Sequence, residues 1–235
     1  MEDFSSSTEG KLPAAWYRKG GPQRILLVMD APTVMRKLLL ASFFFSSLAS
    51  LHAQDALFFD DFDNGGTTWN EVKKEDHERF VEGGKLHMNV ASKTYFYAGQ
   101  NIVPDKKQDF SIETEFTFSK YKSGEAGIMW GGGEKGEKMY FFLLSPLGAW
   151  NFGVWSPQFY SLTGSQKSSL VNKGLAINKL KIERIGNKLK LYVNDVEVHT
   201  TKFPSTKGQL MGLVSGGGIH SVEAEYFKVT KLTSQ

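Results

Sequence analysis

No cysteine occurs anywhere in the 235 residues. That excludes disulfides, thiol catalysis, cysteine-ligated zinc and an acylated lipoprotein anchor, and by itself it leaves the compartment open. Proline is scarce, 7 residues against 24 glycines, so turns fall chiefly to glycine and the chain is no proline-rich linker. Charge of one sign is lacking as well. The formal balance is +3, and the first 53 residues hold six Lys/Arg against four Asp/Glu, which leaves 22 against 21 for the rest. A surface that tracks nucleic-acid phosphates needs a clustered basic excess, so nucleic acid is excluded as a partner on electrostatic grounds. Internal repeats and a helical apolar stripe are also missing. The longest apolar run, Leu38 to Ala53, is serine-rich and falls short of the roughly 20 strongly apolar residues of a membrane span.

That run has a different meaning. Met35-Arg36-Lys37 precedes it, and the small residue Ala53 closes it before Gln54. A positive start, an apolar middle and a small residue before a cut are the layout of a secretory signal over 35–53, with Leu51 an imperfect match at the minus-three position. The expected product is secreted or periplasmic, with no membrane span in the mature chain. Residues 1–34 contain Glu2, Asp3 and Glu9 and suit a signal's start poorly, so they read as an upstream extension, with translation beginning at Met35. One domain over 54–235 remains.

Within it, NKLKIERIGNKLKLYVNDVEV at 178–198 is the clearest sheet-forming stretch. Leu180 and Ile182 alternate with Lys181 and Glu183, then Leu189, Leu191 and Val193 with Lys190 and Tyr192. Period two over that length predicts strands with one buried face, and Gly186-Asn187 and Asn194-Asp195 supply residues that tolerate the positive φ of tight hairpins. On a helix the same apolar positions would share no stripe. Strand-like runs recur at 56–59, 79–81, 85–90, 95–97, 109–119, 126–130, 138–144, 150–155, 176–185, 209–214 and 222–232, nearly all separated by Gly, Pro, Asn or Asp. Many short strands with regular turns predict an all-β fold, a two-sheet antiparallel β-sandwich of jelly-roll kind.

Three groups of side chains carry candidate chemistry. In Phe110–Phe118 the even positions Phe110, Ile112, Phe116 and Phe118 are apolar, so Glu113 and Glu115 project together to the opposite face, about 7 Å apart by strand rise. That spacing alone is compatible with a pair of glycosidase carboxyls, but a solvated or edge-facing pair is the favoured reading. Asp60, Asp61, Asp63 and Asn64 form an oxygen-rich cluster of the kind calcium accepts, or an Asx turn that only reverses the chain. The aromatics form the third group. Both parities of Met139–Leu144 are apolar, so neither face of that strand is simply wet, and Trp130, Trp150, Phe152 and Trp155 lie nearby. Flat rings flanked by amides and hydroxyls suit the apolar C–H faces and rims of sugars. Trp130, Tyr140, Trp155 and Tyr160, with Asn151 and Gln158 as hydrogen-bond partners, are the expected binding face. The competing expectation is that these rings are core or loop-covered. Parity already sets Trp150 and Phe152 opposite Trp155, and Trp69 is expected to plug one end of the sandwich. The histidines show no metal-ligand spacing, and the glycine triplets at 131–133 and 216–218 do not join a strand to a helix.

FFDDFDNGGTTW at 58–69, DFSIETEFTF at 109–118, GIMWGG at 127–132, YFFLLSPLGAWNFGVW at 140–155, the 178–198 stretch and GQLMGLVSGGGIHSVEAEYFKV at 208–229, in that order, resemble the concanavalin A-like lectin/glucanase superfamily. The nearest branch is the exported bacterial laminin-G-like and 3-keto-disaccharide hydrolase (family-16-like) domains. The resemblance implies a curved jelly roll whose concave sheet meets sugars. It also implies a structural calcium joining the first strand to the last, with Glu225 standing where relatives have aspartate. The glucanases of the superfamily carry E-x-D-x-x-E or E-x-D-x-E, whereas Glu113-Thr114-Glu115 is followed by Phe116, Thr117 and Phe118, so the pattern is not kept. The expectation is therefore a non-catalytic module presenting aromatics to a glycan or polysaccharide. The alternatives are a sugar hydrolase using Glu113 and Glu115 and a structural envelope domain without a small ligand.

Overall fold

The computed structural model describes residues 56–64, 68–105, 107–133 and 138–233. The signal-like segment and the upstream extension lie outside the described residues, as do Gly65 and Gly66 of the first turn. Among the described residues there are no helices, so none is long and apolar enough to cross a membrane. The strands are β1 (Ala56–Asp60), β2 (Val72–Lys73), β3 (His77–Glu82), β4 (Lys85–Ser92), β5 (Phe96–Asn101), β6 (Phe110–Tyr121), β7 (Glu125–Gly132) and β8 (Met139–Ser145). They continue with β9 (Ala149–Trp155), β10 (Phe159–Ser161), β11 (Gln166–Lys167), β12 (Asn178–Ile185), β13 (Lys188–Val193), β14 (Val196–Lys202), β15 (Leu210–Gly216) and β16 (Gly218–Lys231).

These build two antiparallel sheets. The nine-stranded sheet runs β14-β13-β12-β6-β16-β4-β3-β2, with β1 also on β16, and the seven-stranded sheet runs β10-β9-β8-β7-β15-β5, with β11 on β9. The expected double hairpin is present as β12, β13 and β14. Its turns take positive φ at Gly186 (58°), Asn194 (49°) and Asp195 (66°), which glycine, asparagine and aspartate tolerate better than other residues. Asn194 also fixes the turn through its side chain, accepting from Lys179 N at 2.8 Å and donating to the Leu170 carbonyl at 2.6 Å.

One core lies between the sheets. The nine-stranded sheet contributes Ile112, Phe116, Phe118, Leu180, Ile182, Leu189 and Leu191, and the seven-stranded sheet Ile128, Phe142, Leu144, Phe152 and Leu213. Burying each such side chain contributes about 1.5–3 kcal/mol. Strand β16 lies in the middle of the larger sheet, paired with β6 along one edge and with β4 and then β1 along the other. A bulge at Ala224/Tyr226 switches its parity, so Val222 and Ala224 point inward before it and Phe227 and Val229 after it. The buried Thr114 hydroxyl is satisfied there, donating to the Tyr226 carbonyl at 2.7 Å.

Candidate functional site

The two outer faces of the sandwich differ in chemistry. On the nine-stranded sheet, alternation turns every second residue of β6, β12 and β13 outward, and most of those residues are charged or polar. Lys181 meets Glu183 at 2.8 Å, Lys190 meets Glu197 at 3.0 Å, and Lys85 meets Glu225 at 2.7 Å. Glu113 and Glu115 belong to this face. Glu113 accepts from the Tyr226 hydroxyl at 2.8 Å and faces Lys179 Nζ at 3.2 Å, which also reaches Asp195 at 3.0 Å. The glutamates therefore stand on the opposite side of the core from the aromatic face, and no shared groove joins them to it.

The calcium candidates are otherwise engaged. Asp60 Oδ1 accepts from Phe62 N at 2.7 Å, and its Oδ2 accepts from Thr68 Oγ1 at 3.0 Å and Trp69 Nε1 at 2.8 Å. Asp61 accepts from Asp63 N at 3.3 Å, and Glu225 is held by Lys85. Among the described residues no group of three carboxylates or imidazoles could hold a metal. Among the described residues Asp60, Asp61, Asp63 and Glu225 thus form no shared carboxylate cluster. Asp60 instead organises a turn in which buried Phe62 takes φ 64° and Trp69 packs against Phe58, Phe62 and Phe227. The plug expected of Trp69 is this packing.

On the seven-stranded sheet parity divides the predicted binding residues. Trp130 pairs with Tyr140, and Tyr140 with Val154, all three facing inward. Trp130, Tyr140 and Phe152 form a stacked row with centroids 5.8 and 5.9 Å from the Trp130 ring. Trp130 and Tyr140 are core residues, corrected here from the expected binding face. The reason is that both parities of these strands are apolar, so composition could not say which face was inner. Tyr160 stands exposed on edge strand β10, its hydroxyl accepting from Gln158 Nε2 at 2.8 Å. Asn151 and Trp155 do point outward.

Trp155 belongs to a second apolar layer on the outer face. Met129, Met139, Phe141, Leu143 and Val214 are buried there beneath the partly exposed Tyr95, Trp155 and Phe159. Phe141 stacks on Phe159 at 5.8 Å and on Trp155 at 6.4 Å, while Tyr95 lies 5.5–6.1 Å from all three rings. Phe159 can fold onto the sheet because Gly153 beneath it has no side chain; an added Cβ would collide with the Phe159 ring. The face is thus a platform of the protein's own rings, not an open slot lined by indoles.

At its border stands Glu125, which the sequence reading passed over. It is the only acidic residue in the seven strands of this sheet. The Tyr95 hydroxyl donates to its Oε2 at 3.1 Å, and the neighbouring Asn151 Oδ1 accepts from Ser161 Oγ at 2.5 Å. Burial pushes the Glu125 carboxyl up, against hydrogen bonds from Tyr95 and Asn151 that pull it down. Burial, reinforced by the Glu125 charge, keeps the Tyr95 phenol protonated and hence a donor. A lone carboxylate opening an otherwise apolar strand was the available signal. Chemically the arrangement offers flat apolar area, one acceptor carboxylate, an amide and two hydroxyls. A buried Ser215–His220 contact at 2.8 Å also escaped notice, but both side chains are sealed from solvent and burial lowers the imidazole's pKa.

No family model and no curated protein matches the sequence. Solved structures do resemble the fold. One comes from work on endo-acting O-glycanases that prominent members of the human gut microbiota express to initiate mucin breakdown, 14% identical, covering 76% of this chain and 100% of that one, TM-score 0.55. The laminarinase catalytic domain of Thermotoga maritima MSB8 is 14% identical, with 76% and 98% covered and TM-score 0.54. Bacillus licheniformis beta-glucanase is 13% identical, with 77% and 100% covered and TM-score 0.53. Sheet order and these likenesses define the class, a two-sheet antiparallel β-sandwich. Within that class, the chain has the concanavalin A-like jelly-roll fold.

Proposed function

We propose that this chain is an exported, non-catalytic glycan-binding module that meets its saccharide on the outer face of the seven-stranded sheet. The observation that carries the reading is the half-exposed platform of Tyr95, Trp155 and Phe159 over a buried apolar layer, bordered by Glu125, Asn151 and Ser161. Aromatic faces accept the C–H faces of pyranose rings, and border carboxylate and amide groups accept and donate to their hydroxyls. Fold alone does not assign function, but similarity to a beta-glucanase and a laminarinase domain makes a saccharide the ligand class to test first. Export is supported by the layout of Met35–Ala53. Affinity electrophoresis against a panel of soluble polysaccharides tests the reading. Retardation by at least one, relieved by Trp155→Ala, is expected; retardation unchanged by that substitution overturns the assignment of the face.

A hydrolase reading is favoured by one observation, the raised Glu125 carboxyl, which suits a general acid. It lacks the second carboxylate that two-carboxylate hydrolysis requires within the strands of this sheet. Release of reducing sugar that disappears in Glu125→Gln would favour it over binding alone.

A further inference from the structure

At one end of the sandwich, between β7, the end of β14 and the loop that follows, lies a cavity of about 870 Å³. Its apolar lining includes Trp130, Phe110, Phe203 and Met211, and its charged lining Arg184, Lys202 and Lys207; among the described residues no aspartate or glutamate lines it. The wall formed by residues 203–208 sits tightly on β7 because Gly131 (φ 77°) and Gly208 carry no Cβ; one at Gly131 would strike Thr206, and one at Gly208 the Gly132 carbonyl. Gly208 N donates to the Gly131 carbonyl at 3.2 Å and locks the wall in place.

Two features of this end distinguish it from the rest of the surface. Lys202 is the cross-strand partner of Lys188, and like charges set directly opposite in a sheet are destabilising. On the same sheet Lys85, Lys179, Lys181 and Lys190 pair with carboxylates, whereas Lys188, Lys202 and Lys207, like Lys120, Lys228 and Lys231, have no carboxylate within ion-pair reach among the described residues. The nearby Asp109 Oδ1 accepts from Gly186 N at 2.6 Å, and the Arg184 guanidinium lies over the Phe203 ring at 4.8 Å. The second feature is Trp130 itself. Its Nε1 is buried and has no hydrogen-bond partner among the described residues, and an unmatched buried donor costs about 1–3 kcal/mol. Trp130 is also a lining residue of the cavity.

We infer that the end cavity is a second binding site, for an anionic saccharide carrying a carboxylate or sulfate. The sugar's apolar face rests toward Phe110 and Phe203 while its anionic group is held by Lys202, Lys207 and Arg184. This deepens the glycan-binding reading, on which it rests for the saccharide class, but it uses a different part of the molecule. It also gives Lys202 and Lys207 a charge to meet.

Calorimetric titration of the full chain with an oligogalacturonide, a sulfated oligosaccharide and a neutral oligosaccharide of matched length tests the site. At low salt the oligogalacturonide, the sulfated sugar or both bind roughly tenfold or more tightly than the neutral one, and the preference shrinks as salt rises. The two anionic arms tell carboxylate from sulfate. Lys202→Glu with Lys207→Glu abolishes the preference, whereas the charge-matched pair Lys167→Glu with Lys120→Glu keeps it. Equal affinity for charged and neutral sugars, or a preference lost equally in both lysine pairs, overturns the site. A chain that holds neutral glycan without preferring anionic ones loses this site alone, while anionic binding without any neutral retention sinks the outer-face reading alone.

Discussion

The outer faces of the two sheets cover the same core, yet one is a lattice of ion pairs and the other a second apolar layer roofed by rings. On the nine-stranded sheet a residue leaving the core enters water, so Lys179, Glu113, Lys181 and Glu183 satisfy one another there. On the seven-stranded sheet a residue leaving the core enters another packed layer, so Phe141, Leu143 and Met129 can be as buried as Phe142 on the reverse side. An outward position is therefore not an exposed one. The difference also separates tasks: exposed ion pairs are screened and replaceable, while partly covered rings hold shape and leave flat area for a ligand.

The sharpest way to break this comparison is to truncate matched outward positions. Phe141→Ala should destabilise by about 3–5 kcal/mol, close to Phe142→Ala, whereas Tyr192→Ala on the other sheet should cost about 1 kcal/mol. Urea unfolding of the three variants measures this, and a mild Phe141→Ala would mean the second layer is loosely packed. Next in size, Asp60→Ala removes the acceptor for Phe62 N, Thr68 and Trp69 and should cost about 2 kcal/mol, with the same melting midpoint in calcium and in chelator.

The pH dependence comes third and rests on two groups shifted by burial, Glu125 and His220. Glu125 is raised in the fold, so the folded state keeps a proton the unfolded chain releases, and stability declines as pH rises from its ordinary value of 4.5 through the folded value. His220 is lowered, so the unfolded chain takes the proton first and stability declines as pH falls below 6.5. Thermal melts across pH should show Glu125→Gln removing the first slope and leaving the second. The smallest effect is expected on the charged face. Lys179→Ala should cost about 0.5–1 kcal/mol and shrink further at high salt, measured by the same unfolding titration.

What could be read from sequence follows the same division. Where the outer face is charged, alternation identifies both strand and face: the inward Leu180, Ile182, Leu189 and Leu191 were legible, as was the outward direction of Glu113 and Glu115. Where both parities are apolar, strands were legible but faces were not, which is why Trp130 and Tyr140 were placed beside Trp155. Short β2, β10 and β11 went unseen, since two or three residues carry no period. Tyr95 and Glu125 join the site through contacts that cross strands, and no local pattern encodes those. Asp60 was legible as an oxygen-rich turn, but what its oxygens accept depends on Trp69, nine residues away.

The position of β16 has a consequence for how the molecule comes into being. Its 14 residues are the only neighbour that β4 and β6 share, and they also carry β1. Earlier segments can pair into local hairpins, but the larger sheet has a gap through its middle until residues 218–231 arrive. Assembly of this sheet thus waits for β16 and closes over long loops, which makes it slow and leaves unpaired edges waiting meanwhile.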